Sequence, residues 1–199
     1  MKIKVYGRCL WLVLLLGFTI NVPANAGEPT DVVKSAWDRL VQVLKDPTLS
    51  PKDKQKERVA RLKEIIDPAI DYAETAKRVL GPHWQRRTPE EQQEFVKIFH
   101  DFVERIYTGQ INQYEGEKIV FGRESVDQDF AQVESKIVDA KGEGSSLVFR
   151  LHRTDGKWRV YDAVVEDISM ISNYRSQFDR VISSSSYEGL VKKLKEKIG

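Results

Sequence analysis

WRVYDAVVEDISMISNYRSQF, residues 158–178, changes period in mid-stretch. Up to Val165 apolar and polar residues alternate, the two-residue repeat of a strand. From Ile168 onward Ile171, Tyr174 and Phe178 recur three and four apart, the repeat of a helix. A strand therefore feeds a helix here, with Glu166 and Asp167 at the junction, where carboxylates favour a helix start. Immediately upstream, Asp155-Gly156 is a two-residue hairpin signal between strands at 147–153 and 158–165. Their register is expected to set Arg153 opposite Trp158, Leu151 opposite Val160, Phe149 opposite Asp162 and Leu147 opposite Val164.

Two further strands read from the same period, at 119–121 and 130–138, so the sheet is antiparallel and four-stranded. Everything before it reads as helix. Val32, Val33, Ala36, Leu40, Val43 and Leu44 hold helical spacing until Asp46-Pro47 closes the segment. Ser50-Pro51 supplies a cap and a first-turn proline for a second helix carrying Val59, Leu62, Ile65 and Ile66, which Pro68 ends. A third passes through Tyr72, Ala73, Ala76, Val79 and Leu80 and stops at Gly81-Pro82. The longest begins at the capping box Thr88-Pro89-Glu90-Glu91 and carries a broad apolar face from Phe95 to Tyr107. It should reach Gln113, a length of roughly 37 Å at about 1.5 Å per residue. After the sheet, Val181 and Ile182 extend the helix begun at Ile171, and Leu190, Val191, Leu194 and Ile198 predict a last one. The whole is α+β: a helical N-terminal half packed on a curled, mainly antiparallel four-stranded sheet, with C-terminal helices closing an apolar cavity.

The chain opens with Lys2, Lys4 and Arg8, then an apolar run from Cys9 to Ile20, then Ala24-Asn25-Ala26. These are the three parts of an export signal, too short to span a bilayer core that needs about 20 helical residues. Residues 1–26 are read as a signal peptide and 27–199 as one soluble domain. Cys9 is the single cysteine, so the mature chain has no thiol and must rely on an ordinary apolar core rather than disulfides. Without the signal, 29 basic residues face 30 acidic ones, a formal net charge of −1. Such balance argues against nucleic acid as a partner.

Few residues invite chemistry. The histidines 83, 100 and 152 fit no zinc spacing and read as surface or structural groups, and the common hydrolase and phosphate-binding motifs are absent from the sequence. Asp162 stands out, because the alternation puts it on the inward face with Trp158, Val160 and Val164. A buried acid must be paired, hydrogen-bonded or protonated. Arg175 and Tyr174 are its nearest inviting partners in sequence, and a structural role for Asp162 with Arg175 is favoured over a general base in an apolar pocket. The aromatic residues on and around the long helix, from Phe95 and Phe99 to Phe149, Trp158 and Phe178, suit a filled core or one lined around a ligand equally well.

Three blocks resemble the MlaC family of periplasmic phospholipid-binding proteins, also called the toluene-tolerance or ABC-transporter auxiliary family: LGPHW at 80–84, TPEEQQEFVKIFHDFVERIYTGQINQY at 88–114, and the strand-to-helix stretch at 158–178. With the signal and the order of elements, the resemblance covers the mature chain. Asp167 departs from it, since the family's turn commonly has glycine, and the charged segment 51–61 has no counterpart claimed for it. The resemblance implies a periplasmic carrier, not an enzyme, that helps maintain outer-membrane lipid asymmetry. It implies phospholipid as bound ligand, no cofactor or metal, and a monomer shuttling between an outer-membrane lipoprotein and porin complex and an inner-membrane ABC transporter with an MCE component. The family's usual direction is toward the inner membrane. A carrier is physically required: at about 0.8 kcal/mol per CH₂, two acyl chains of roughly 16 carbons represent on the order of 25 kcal/mol of apolar surface that water must not meet.

Inward periodicity combined with that resemblance gives the lipid-contacting set. Helical members are Val79, Leu80, Phe95, Phe99, Phe102, Ile106, Met170, Ile171 and Tyr174; strand members are Val133, Ile137, Leu147, Phe149, Val160 and Val164. Two rival readings follow from the same residues: a small isomerase- or hydrolase-like enzyme built on Asp162, and a structural adaptor whose core is full.

Overall fold

The computed structural model describes residues 28–110 and 114–199, so the export signal and the end of the long helix near Gln113 lie outside the described residues. The chain begins with α1, Glu28–Lys45, which has Glu28 and Asp31 in its first turn and Lys45 in its last, charges that suit the two ends of the helix dipole. Asp46 then caps a 3-10 turn over Pro47–Leu49, accepting from Thr48 N at 2.9 Å. The second helix does not start at Ser50-Pro51 as expected. Pro51 instead precedes another 3-10 turn, Lys52–Lys54, and α2 runs Gln55–Ile66 with no side-chain cap.

Helix α3, Tyr72–Leu80, is capped by Asp71, whose carboxylate accepts from Glu74 N at 2.9 Å. It stops at Gly81, which has φ +53°; a Cβ there would lie 3.3 Å from Arg175 Cδ, so glycine serves both the backbone turn and the crossing side chain. Helix α4, Pro89–Gln110, has the capping box read from the sequence: Thr88 N donates to Glu91 Oε2 at 2.8 Å and Glu91 N donates to Thr88 Oγ1 at 3.2 Å.

The sheet is a five-stranded antiparallel meander, β1 (Lys118–Asp127), β2 (Phe130–Val138), β3 (Gly144–Thr154), β4 (Lys157–Val165) and β5 (Ile168–Ser169), each bonded to the next in sequence. The β3–β4 hairpin turns on Asp155 (φ 52°) and Gly156 (φ 72°), the left-handed pair that such a two-residue loop needs. Two details depart from the sequence reading. β1 continues past Phe121 through an irregularity to Asp127, and β5 adds a short fifth strand.

The register holds only for the first half of the β3–β4 ladder. Arg153 faces Trp158 and Leu151 faces Val160, but Tyr161 is an extra residue on β4. Beyond it Arg150 faces Asp162, Phe149 faces Ala163 and Leu147 faces Val165, not the Asp162 and Val164 pairings expected. A bulge inserts one unpaired residue and shifts everything after it, which alternation alone does not reveal.

Helices α5 (Met170–Ser184) and α6 (Tyr187–Ile198) follow, capped by Ser169 and Ser186. They join α3 and α4 around Phe95, Phe99, Phe102, Phe178 and Leu190, the larger of two apolar clusters. The second lies between α1 and the sheet and holds Val33, Ala131, Val133, Leu151 and Trp158. Trp158 therefore packs beneath α1 and not around the long helix as expected; its indole N–H donates to Glu28 at 3.3 Å. Among the described residues no helix is long and apolar enough to cross a membrane.

Candidate functional site

An apolar cavity of about 190 Å³ opens between four elements. β4 contributes Val160, Tyr161, Asp162 and Ala163. Tyr72, Thr75 and Val79 of α3 face them, with Ile70 just before that helix. Phe99, Val103 and Ile106 from α4 and Met170, Ile171 and Tyr174 from α5 complete the wall. Val160 also packs against the α1 cluster, so it is shared between the two apolar regions.

This wall lies where β4 has only brief strand pairing beyond β3, and edge carbonyls there would be costly if buried without partners. The segment before α3 supplies them. Ile70 bridges to Val160, Asp71 N donates to Val160 O at 2.8 Å, and Thr75 Oγ1 donates to Tyr161 O at 2.9 Å. The main chain can thus face apolar space without unsatisfied groups at these positions.

Asp162, with a side chain only 1% exposed, holds α5 against β4. Its Oδ2 accepts from Arg150 Nη1 at 3.1 Å and from Ser169 Oγ at 2.7 Å, and its Oδ1 accepts from Ile171 N at 3.1 Å. Arg175, expected as the partner, is elsewhere: its Nε donates to Arg78 O at 2.8 Å. The bulge is the reason, because it sets Asp162 directly opposite Arg150 on β3. Both carboxylate oxygens are engaged in structure, and among the described residues Asp162 is the single carboxyl lining the cavity. A general base needs a free lone pair within reach of substrate. Three donors on these two oxygens favour the structural role of Asp162 over a general base.

The other ionisable groups in the wall are phenols. Burial, and then Asp67, push Tyr72 far above its ordinary range, and burial raises Tyr174. Both stay neutral at physiological pH and add no charge to the cavity wall.

The histidines are all structural in their contacts. His83 meets Asp179 at 2.8 Å, and His152 Nδ1 meets both Asp71 at 3.1 Å and Thr154 at 3.0 Å. Because both contacts fall on one nitrogen, that trio cannot pass a proton through the ring. His100 is gripped by Asp67 at 3.2 Å and Asp101 at 3.0 Å. His100, Asp101 and Glu104 come close enough together to ligate a cation, but Lys63 already ion-pairs with Asp67 and Glu104, so the protein brings its own positive charge there.

Of the fifteen residues expected to contact lipid, Val79, Phe99, Ile106, Val160, Met170, Ile171 and Tyr174 border the cavity. Leu80, Phe95 and Phe102 are buried in the helical cluster behind it, and Val133 and Phe149 belong to the cluster under α1. Ile137, Leu147 and Val164 do not border it either. Sequence reasoning missed Ile70, Tyr72, Thr75, Val103, Tyr161 and Ala163, although helical spacing puts Val103 on the same face as Phe99 and Ile106, and Tyr72 and Thr75 on the same face as Val79.

Residues 34–196 match the MlaC protein family. The chain belongs to that family. It is 23% identical over 134 residues to the intermembrane phospholipid transport system binding protein MlaC of Haemophilus influenzae, a match covering 65% of this chain and 63% of that protein. The match thus spans slightly less than two thirds of that MlaC relative's length. The toluene tolerance protein ttg2D of Pseudomonas putida is 26% identical over 169 residues, 84% of this chain and 78% of the relative. Among solved structures, the phospholipid-binding protein from Ralstonia solanacearum in complex with a phospholipid superposes with a TM-score of 0.73 at 26% identity, over 86% of this chain and 97% of that one. The MlaC family is one of non-enzymatic lipid carriers.

Proposed function

We propose that this MlaC-family chain is a periplasmic phospholipid carrier, residues 27–199 forming its exported domain, which takes lipid from one membrane system and delivers it to another. The observation that carries the reading is the apolar cavity between β4, α3, α4 and α5, in a fold that superposes on a protein in complex with a phospholipid. Acyl tails enter this space while the headgroup stays in water. The lining offers tails apolar contact and no reactive group. Its cargo donors and acceptors are an outer-membrane complex and an inner-membrane ABC transporter with an MCE component, the carrier acting as a monomer.

The test is the cargo itself. Protein purified gently without added lipid is expected to carry phospholipid visible by native mass spectrometry, and protein stripped of it to reload from vesicles. Protein that arrives bare and stays bare before vesicles sinks the reading. Asp162→Asn adds a control: it should lower the melting temperature yet leave lipid capacity in the protein that remains folded.

A further inference from the structure

Three helices line the cavity, and their contacts give it two unlike ends. Phe95 meets Phe178 at 6.2 Å between ring centroids and Phe102 meets Tyr174 at 5.5 Å, so α5 runs antiparallel to α4. Tyr72, at the start of α3, meets His100 at 4.5 Å between ring centroids, while the carbonyl of Trp84, just past the end of α3, accepts from Gln92 Nε2 at 3.0 Å. Helix α3 therefore also runs antiparallel to α4. One end of the cavity then holds the last lining residues of α3 and α5, Val79 and Tyr174, together with the first of α4, Phe99. The other end holds Tyr72, Ile106 and Met170.

The first end is shut and the second is open. Val79 is 1% exposed and Phe99 2%, whereas Tyr72 and Ile106 are half-buried and Met170 is 36% exposed. Behind Phe99 stands a wall of rings: it stacks on Phe95 at 6.1 Å and meets Phe178 edge-on at 6.3 Å, and neither of those two lines the cavity. Phe99 thus belongs both to the lining and to the packed helical cluster. An interior filled to this density has no slack for a further methylene. At the same end Arg175 ties α5 to α3, its Nε donating to Arg78 O at 2.8 Å.

We propose that Phe99, with Val79 at the same depth, is the stop against which the methyl ends of the bound tails come to rest, so that this pair sets the acyl length the carrier prefers. The assignment rests on the carrier reading above and adds a selectivity to it. Tails enter past Met170 and run inward along α4. A chain too long for the stop must leave carbon in water at the open end or press into the ring cluster, and both are unfavourable. Sideways widening admits a second chain without changing this depth.

The test offers the full mature protein vesicles holding equal amounts of phosphatidylglycerols with myristoleoyl, palmitoleoyl or oleoyl chains and measures the bound distribution by native mass spectrometry. Relative to the wild type, Phe99→Leu deepens the cavity and is expected to raise the bound ratio of oleoyl to myristoleoyl lipid roughly three- to tenfold. Val79→Leu shortens the cavity and should lower that ratio by a similar factor. Phe178→Leu removes the same volume from the rings behind the stop, and should lower the melting temperature with the ratio unchanged. Unchanged ratios in folded Phe99→Leu and Val79→Leu overturn the assignment while leaving the carrier reading intact, and so does a shift in Phe178→Leu as large as that in Phe99→Leu. If Phe99→Leu does not fold, Val79→Leu decides alone, an unchanged ratio there overturning the stop. Wild-type protein that takes up none of the three lipids overturns the carrier reading instead.

Discussion

Asp71 ties a helix to a sheet with one carboxylate, accepting from Glu74 N at 2.9 Å, His152 Nδ1 at 3.1 Å and Thr154 Oγ1 at 3.2 Å. Burial pushes its pKa up, but these donors together hold it below the ordinary carboxylate value. A carboxylate lowered on folding stabilises the protein above its unfolded pKa, near 3.9, and that contribution disappears as pH falls through the folded value. Asp71→Asn should thus cost about 1 to 2 kcal/mol at pH 7 and progressively less below about pH 4. Urea unfolding at neutral and acidic pH measures the difference, and an equal gap at both would show that the charge contributes nothing. The turn before α5 carries strain of another kind. Glu166 and Asp167 have φ of 47° and 62°, left-handed values that side chains resist. Glycine is favoured in such two-residue turns, so Asp167→Gly is expected to raise stability by about 0.5 to 1 kcal/mol, seen as a higher melting temperature. No gain, or a loss, would mean that the Asp167 side chain offsets its own backbone strain.

Helix α5 is one wall of the cavity, and its start is fastened to β4 by a single side chain. Asp162→Ala would leave Arg150, Ser169 Oγ and Ile171 N without their shared acceptor, at a cost of about 3 kcal/mol. Hydrogen exchange should then speed up first at Ile171 and its neighbours, ahead of the amides of α4. Uniform acceleration through all helices would mean that Asp162 supports the whole core and not this one joint. Much of the element order was legible: the Thr88-to-Glu91 capping box, the Asp155-Gly156 turn and the switch of period after Val165 each have a local cause that the structure repeats. The joint itself was half legible. Alternation turned Asp162 inward, but its partner depended on the extra residue Tyr161, and a bulge leaves no periodic trace. The cavity lining was half legible too: inward periodicity favoured Phe149, but it shares its face of β3 with Leu151 and packs against the cluster under α1.

At the scale of the molecule, the question is which apolar region is hollow. About 190 Å³ lies below the roughly 300 to 1,000 Å³ of pockets that hold drug-sized ligands, so a diacyl lipid must widen the cavity as it enters. The cluster between α1 and the sheet, by contrast, holds Val133 and Leu151 at 0% exposure and Trp158 at 4%. If lipid widens only the first region, two bulky substitutions should separate. Ala163→Phe fills the cavity from β4 and is expected to cut bound phospholipid by more than half while the fold survives, because the added ring enters space that is already empty. Phe149→Trp enlarges a residue packed against the α1 cluster, where overpacking costs about 1 to 3 kcal/mol, and should lower stability with lipid stoichiometry unchanged. Native mass spectrometry beside thermal unfolding reads both quantities on the same samples. The reverse pattern, with Phe149→Trp emptying the protein and Ala163→Phe leaving it loaded, would move the tails to the α1 side of the molecule.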